Sequence, residues 1–292
     1  GTARLAPEIS VATDHVLYQC HDATPLLKQG SNDLAALLGD GRSASEFRWE
    51  NERYSLGDSP RRFLAQLVLD YSDGSREVLA TAASWRLGPS AIRSSEIYNG
   101  EDYDARREDG EWGQPGQDDP HSGWRPASIG SAPPARLVAQ IDPPIRALQS
   151  LAPRKLTQPR SGVFVFDFSQ NFAGWCRLRV KGPAGAVVRL RHAEILLPDG
   201  NIDTANLRGA RATDTYTLRG DPAGEVYEPH FTYHGFRYVE LTGYPDKPDL
   251  AANEGLVAHT DERQTGTLSV EDSLAQRIWH NALWSQRSNF FG

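Results

Sequence analysis

Apolar residues along the chain come in short runs separated by clusters of Gly, Pro, Asn, Asp and Ser, the rhythm of strands joined by turns. His15–Cys20 and Leu34–Leu38 read as early strands. Asp22–Gly30 between them reads as one capped helical turn closed by its glycine. Phe63–Tyr71 and Glu77–Thr81 pair as a predicted hairpin across Ser72-Asp73-Gly74. From Arg106 to Pro126 the chain turns polar and irregular. The proline-rich stretch Ser131–Pro144 reads as a connector, because proline donates nothing to a ladder and favours extended backbone.

The pattern then sharpens. Val163–Phe168 is apolar at nearly every position, as a strand buried on both faces requires. Trp175–Val180 and Val187–His192 alternate, and Lys181-Gly-Pro-Ala-Gly185 turns one into the other. Further strands are predicted at Thr213–Leu218, Val226–Tyr233, Phe236–Thr242, Gly255–His259 and Thr265–Val270. One long helix comes last. Ser273-Leu-Ala-Gln276 has the form of a capping box, and Leu274, Ile278, Ala282, Trp279 and Leu283 make an apolar stripe at helical spacing. Such a helix needs a partner surface, either the sheet or a helical domain that it opens. Many strands, short turns and no intervening helices predict a mainly β protein. Its expected parts are two antiparallel β-sandwiches over 1–140 and 141–268, and the helix over 269–292.

Composition fits this reading. The 292 residues are 39% hydrophobic, with 26 Gly and 19 Pro, enough for a real core. No apolar run reaches the ~18–20 residues of a bilayer crossing, and no basic region leads into an apolar stretch at the start. Neither a membrane span nor a signal peptide is therefore expected, and the compartment stays open between cytoplasm and periplasm. A formal charge of −7 without a basic block argues against nucleic acid and anionic lipid as partners. Cys20 and Cys176 give neither a metal spacing nor a disulfide framework, and leave one long-range bridge open. The chain has no Met, and Gly stands first. A processed or tag-derived start is one reading, a piece of a longer polypeptide the other.

Candidate chemistry is sparse. Two-carboxylate hydrolysis of a glycoside needs acids roughly 5–5.5 Å apart for retention or ~6.5–9.5 Å for inversion. Glu96, Glu101, Asp102, Asp104, Asp167 and Glu194 are the acidic candidates, and nothing in the sequence pairs them. Asp199-Gly-Asn201-Ile-Asp203 begins like a calcium loop, but Thr204 and Ala210 stand where that loop needs Gly and Glu. Pro198-Asp-Gly200 is therefore read as a hairpin turn. The histidines show no zinc spacing, and His192 and His234 read as hydrogen-bonded structural residues beside strands. No metal and no cofactor are expected. Trp49, Trp85, Trp112, Trp124 and Trp175 offer flat faces, most of them for the core. Trp112 and Trp124, in the polar excursion, are the best candidates for sugar stacking, with Asp104 and Arg106 as polar neighbours.

Several strings are recognisable. Ile97–Arg106, Val165–Trp175, Leu190–Glu194, Ala212–Tyr216, Phe231–Val239 and Leu283–Phe290 resemble, in this order, signatures of bacterial α-L-rhamnosidases. That family usually has Gly at the place of Ser169 and often Met at that of Phe172. The resemblance covers most of the chain from about Val16 onward. It implies an inverting glycoside hydrolase that removes terminal α-L-rhamnose from glycosides or polysaccharides. Its jelly-roll or concanavalin-like β-sandwiches would precede an (α/α)₆ barrel. Both catalytic groups belong to that barrel, whose acidic loop follows soon after the string ending at Phe290, so no catalytic residue carries over to this chain.

On this reading the last helix opens the barrel, and the front of the first sandwich is clipped. The partners implied are the chain's own barrel and, through the parent enzyme, a rhamnose-containing glycoside. Scaffolding is the role expected for the chain itself. Tyr98, Glu101 and Tyr103 are expected at an interdomain contact, with ordinary turn and strand positions as the alternative. Three rivals remain: a stand-alone carbohydrate-binding module using Trp112 or Trp124 with Asp104 and Arg106, a structural remnant without ligand, and a hydrolase in its own right, which would require an unsuspected carboxylate pair.

Overall fold

A computed structural model describes residues 2–8, 10, 14–41, 44, 48–49, 52–53, 61–108, 124–131 and 135–291. Its first stretch holds short strands: β1 (His15–Tyr18), β2 (Arg48–Trp49), β3 (Glu52–Arg53), β4 (Gln66–Asp70) and β5 (Arg76–Ala80). They are followed by β6 (Arg86–Leu87), β7 (Ile92–Glu96), β8 (Gly100–Asp104), β9 (Arg125–Pro126) and β10 (Arg136–Ala139). The β4–β5 hairpin turns where expected, with the Tyr71 amide donating to the Ser75 carbonyl at 2.9 Å and Gly74 at φ +87°. The helical turn between β1 and β2 is a 3-10 turn, Thr24–Leu26, started by Asp22, which accepts from the Thr24 amide at 2.9 Å. Leu34–Leu38 forms no strand. Apolar residues at 34, 37 and 38 lack the period of two that a half-buried strand needs, and all three leucines are exposed.

The second stretch carries the main sheet. Its strands are β11 (Ile145–Leu151), β12 (Lys155–Arg160), β13 (Val163–Val180), β14 (Val187–Ala193) and β15 (Ile195–Leu196). Then come β16 (Ile202–Asp203), β17 (Thr213–Thr217), β18 (Glu225–Tyr227), β19 (His234–Thr242) and β20 (Asn253–Thr260), with α1 (Ser273–Asn289) last. The ten-stranded sheet runs β11-β20-β13-β19-β14-β17-β8-β7, with β12 and β18 also on β13. Two separately predicted strands, Val163–Phe168 and Trp175–Val180, are one. A register shift between Asp167 and Phe172, with Ser169 at φ +60°, marks a bulge that lets β13 run on through the curl of the sheet.

The core explains the sequence of β13. One cluster gathers Phe164, Phe166, Phe168, Phe172, Cys176 and Leu178 with Leu190, Phe236, Val239 and Leu241. The opposite face of β13 is covered too: Val165 packs with Ala193 and Ile202, and Trp175 with Leu256, Ala258, Tyr233 and Phe291. Cys176 is buried and Cys20 exposed, both as free thiols. By contrast, β5 is exposed along its whole length, and every core residue of the main cluster except Ala105 comes from Phe164 onward.

Other expectations change in detail. The main sheet is not wholly antiparallel, since β8 and β17 pair in parallel, and β1 and β10 pair in parallel as a separate two-stranded sheet. The strand predicted at Val226–Tyr233 ends at Tyr227, and Thr265–Val270 forms none. Helix α1 is capped by Asp272, whose carboxylate accepts from the Ala275 amide at 2.8 Å, while Gln276 reaches back to the Val270 amide at 3.1 Å. The capping pattern thus sits one residue earlier than the Ser273-Gln276 spacing implied. Leu274 and Ile278 of the predicted stripe are exposed, and Trp284 is the helix residue that packs on the main core. No helix among the described residues is long and apolar enough to cross a membrane.

Candidate functional site at the β8–β17 seam

The hairpin β7–β8 comes from the first stretch yet completes the sheet of the second. Asp102–Asp104 lie opposite Thr215–Thr217, in parallel. Its turn is held by three backbone acceptors: Tyr98 takes the Ala212 amide at 3.0 Å, Asn99 the Thr213 amide at 3.1 Å, and Ile97 the Thr232 hydroxyl at 3.0 Å. Gly100, at φ +96°, is required here, because a Cβ would overlap the Thr213 carbonyl.

Glu101, 1% exposed, is the hub. Its amide donates to Asp214 Oδ1 at 3.0 Å, and its carboxylate accepts from Tyr227 Oη at 3.2 Å and the His230 amide at 3.0 Å. His230 Nδ1 lies 2.9 Å from the same carboxylate and donates to it. Tyr103 stacks between His230 and Tyr216, with ring centroids 5.4 and 5.8 Å away. Burial, reinforced by the carboxylates they donate to, Glu108 and Glu225, pushes both phenols well above their ordinary range. Burial alone would raise Glu225 as well, but the amides of Arg219, Gly220 and Asp221 and the Tyr216 hydroxyl hold its carboxyl low.

Behind the hub, His192, Asp214 and His234 are buried together. His192 Nδ1 lies 3.0 Å from the Ala212 carbonyl, and His234 Nε2 lies 3.1 and 3.2 Å from the two Asp214 oxygens. The cluster has metal-ligand composition, with one ligand atom from each residue lying within 4.8 Å of the others. The two imidazoles stack at 4.1 Å and 21°, and both Nε2 atoms face the Asp214 carboxylate, at 3.9 Å from His192 and 3.1 Å from His234. Burial and the neighbouring His234 pull the His192 imidazole down to about 3, so it packs neutral. Burial opposes the charge on Asp214, but His234 and the Glu101 amide outweigh it and keep the carboxyl below the usual range.

In front of the hub the surface is grooved. A hollow of about 250 Å³ is lined by Arg4, Tyr103, Glu108, Tyr216, Tyr227, Glu228 and His230. A second, about 420 Å³, shares Arg4 and Glu228 with it and reaches Trp175, Arg177 and Glu254. The two acids of the first hollow are already engaged. Glu108 accepts from Tyr103 Oη at 2.9 Å and pairs with Arg219. Glu228 accepts from Arg177 Nε at 2.6 Å and from Trp175 Nε1 at 3.1 Å. A proton donor and a water activator would need oxygens turned toward the ligand instead.

Of the residues singled out in the sequence, Glu101 and Tyr103 belong to the seam and Tyr98 to its turn. Asp104 is buried and bound by Arg106 through two contacts of 2.8 Å, while Arg106 also lies over Gly185. Trp124 covers Gly88. Trp112 lies outside the described residues, as do most of the polar excursion and the side chain of Trp49. Asp167 is held by Arg237 at 2.8 Å, and Glu194 by Asn171 and Asn206, each at 2.8 Å. Sequence reasoning missed Asp214, Tyr227 and His230 as partners of Glu101. Only Asp214 lies in one of the recognisable strings, and no spacing joins positions more than a hundred residues apart.

The same seam orders the recognisable strings. Those on β13, β19, β14, β17 and β8 are five neighbours in the sheet. Residues 1–149 match the profile of the α-L-rhamnosidase N-terminal domain, and 157–259 that of the bacterial α-L-rhamnosidase concanavalin-like domain. An α-L-rhamnosidase of Streptomyces avermitilis is 43% identical over 291 residues, covering 99% of this chain and 28% of the relative. One from Formosa agariphila is 30% identical over 300 residues, 100% of this chain and 31% of the relative. Among solved structures, S. avermitilis α-L-rhamnosidase complexed with L-rhamnose superposes over 100% of this chain and 28% of its own, with TM-score 0.88 and 39% identity. That from Dictyoglumus thermophilum gives TM-score 0.90 and 34% identity, over 100% of this chain and 32% of its own. The chain spans under a third of the length of these relatives, and it belongs to the bacterial α-L-rhamnosidase family, of which it carries the N-terminal and concanavalin-like domains.

Proposed function

We propose that the chain is the non-catalytic β-sandwich portion of an α-L-rhamnosidase-like hydrolase that releases terminal α-L-rhamnose from glycosides. Its role is scaffolding: residues 1–140 and 141–268 carry the sandwiches, and α1 leads into the catalytic barrel. Tyr98, Glu101 and Tyr103 join the two sandwich regions. One observation carries this reading: the acids in the hollow beside Tyr103, Glu108 and Glu228, already have their oxygens bound by Arg, Tyr and Trp donors. A sugar-binding role for Trp124, Asp104 and Arg106 is a weaker reading, because Asp104 is tied to Arg106 and Trp124 to Gly88.

A chromogenic α-L-rhamnoside tests it. The 292-residue chain should give no turnover above background. A chimera that continues from Phe291 into the remaining length of the S. avermitilis relative should hydrolyse the substrate. Turnover by the chain alone would overturn the proposal.

A further inference from the structure

The scaffolding role makes no use of the cluster buried behind the hub. His192 on β14, Asp214 on β17 and His234 on β19 come from three adjacent strands and are between 0% and 4% exposed. Because each ligand comes from a different strand, no short spacing announces the group in the sequence.

The cluster contains an unmet bonding demand. The Ala212 carbonyl takes the Nδ1 hydrogen of His192 at 3.0 Å, which leaves Nε2 of this neutral ring as an acceptor. That Nε2 is buried, has no hydrogen-bond partner, and faces Asp214 Oδ2 at 3.9 Å. Two acceptors turned toward one another in a dry core repel unless a positive centre or a donor lies between them. His234 Nε2 stands on the same carboxylate, 3.1 and 3.2 Å from its oxygens. Zinc bonds of about 2.0–2.1 Å put neighbouring ligand atoms roughly 3–3.5 Å apart, so His234 and Asp214 already have that spacing and His192 has about half an ångström to close on Asp214. The ligands are also held from behind. The Ala212 carbonyl fixes the His192 ring, and the Glu101 amide holds Asp214 Oδ1 at 3.0 Å. Two imidazoles with one carboxylate suit zinc and its transition-metal neighbours, whereas magnesium and calcium prefer oxygen ligands throughout.

We propose that His192, Asp214 and His234 bind one divalent transition-metal ion of the zinc type, which staples the sheet from within. The ion ties β14, β17 and β19 together and, through Asp214, steadies the Glu101 hub on β8. Every ligand is buried, so the ion is taken up during folding. Nothing in this inference depends on the glycosidase reading above.

Refolding the 292-residue chain from urea with zinc chloride, then stripping loose metal on a chelating resin, tests it. Retained zinc should approach one ion per chain, and the melting temperature in excess zinc should exceed that in EDTA by about 3 °C or more. His192→Phe should lower retained zinc by about ten-fold or more, while His21→Ala, at an exposed histidine outside the cluster, should leave it unchanged. Zinc-edge X-ray absorption on the loaded wild-type chain needs no variant to fold. It should show nitrogen and oxygen neighbours at about 2.0–2.1 Å and the outer scattering of two imidazoles. Retention below about a tenth of an ion per chain, retention that survives His192→Phe, or a spectrum without imidazole would overturn the proposal and assign the space between His192 and Asp214 to an ordered water.

Discussion

His192 shows how one residue couples this core to acidity. Its imidazole has zero exposure, stacks on His234, and meets Phe236 edge-on at 4.7 Å. In the unfolded chain it titrates near ~6.5, but in the folded core only at about 3. Between those values the unfolded state binds a proton that the folded state refuses, so stability present above ~6.5 is lost as the pH falls. Asp214, held below its ordinary range, adds a loss in the same direction at more acid pH. The urea midpoint should therefore drop clearly from pH 7.5 to 5, with the steepest change below ~6.5. His192→Phe, which keeps a flat ring against Phe236, should flatten that segment. An unchanged slope would assign the acid sensitivity to other groups.

At the scale of elements, the bulge of β13 is where local preference and tertiary demand disagree most. Ser169 stands at φ +60°, a conformation that costs an L-residue roughly 1–2 kcal/mol, and the Asp167 carboxylate holds its amide at 2.6 Å. Ser169→Gly keeps that amide contact, removes the strain and returns part of the gain to unfolded-state entropy. Thermal unfolding should show about 0.5–1 kcal/mol of added stability; a loss would mean that the serine hydroxyl has a role of its own. This bulge also marks the limit of what was legible. The apolar run at 163–168 and the alternation at 175–180 are plain in the sequence, but polar residues 169–171 between them read as a break instead of a continuing strand. Leu34–Leu38 failed because apolar content without a period of two does not specify a pairing partner, whereas Thr265–Val270 has the alternation at 267–270 yet pairs with no strand among the described residues. The helix was found from its stripe, though its cap moved to Asp272, since Asp serves there as readily as Ser.

For the whole molecule, family membership was legible and the seam was not. Six short strings in order sufficed for the first, while the second depends on parallel pairing between β8 and β17 across more than a hundred residues. The boundary between the two matched profiles falls near residue 150, yet the hydrogen-bonded sheet ignores it. Anyone trimming the gene to residues 157–259 would strip β17 of its outer neighbours and leave Glu101's partners, Tyr227 and His230, facing solvent or one another. A raw ladder of unmatched amides and carbonyls recruits other molecules. Size-exclusion chromatography of the trimmed piece should accordingly show oligomers or precipitate, and a well-behaved monomer would mean that β17 tolerates an open flank. Evolutionary modules and folding units part company at this hairpin, which makes the first stretch a structural subunit of the second.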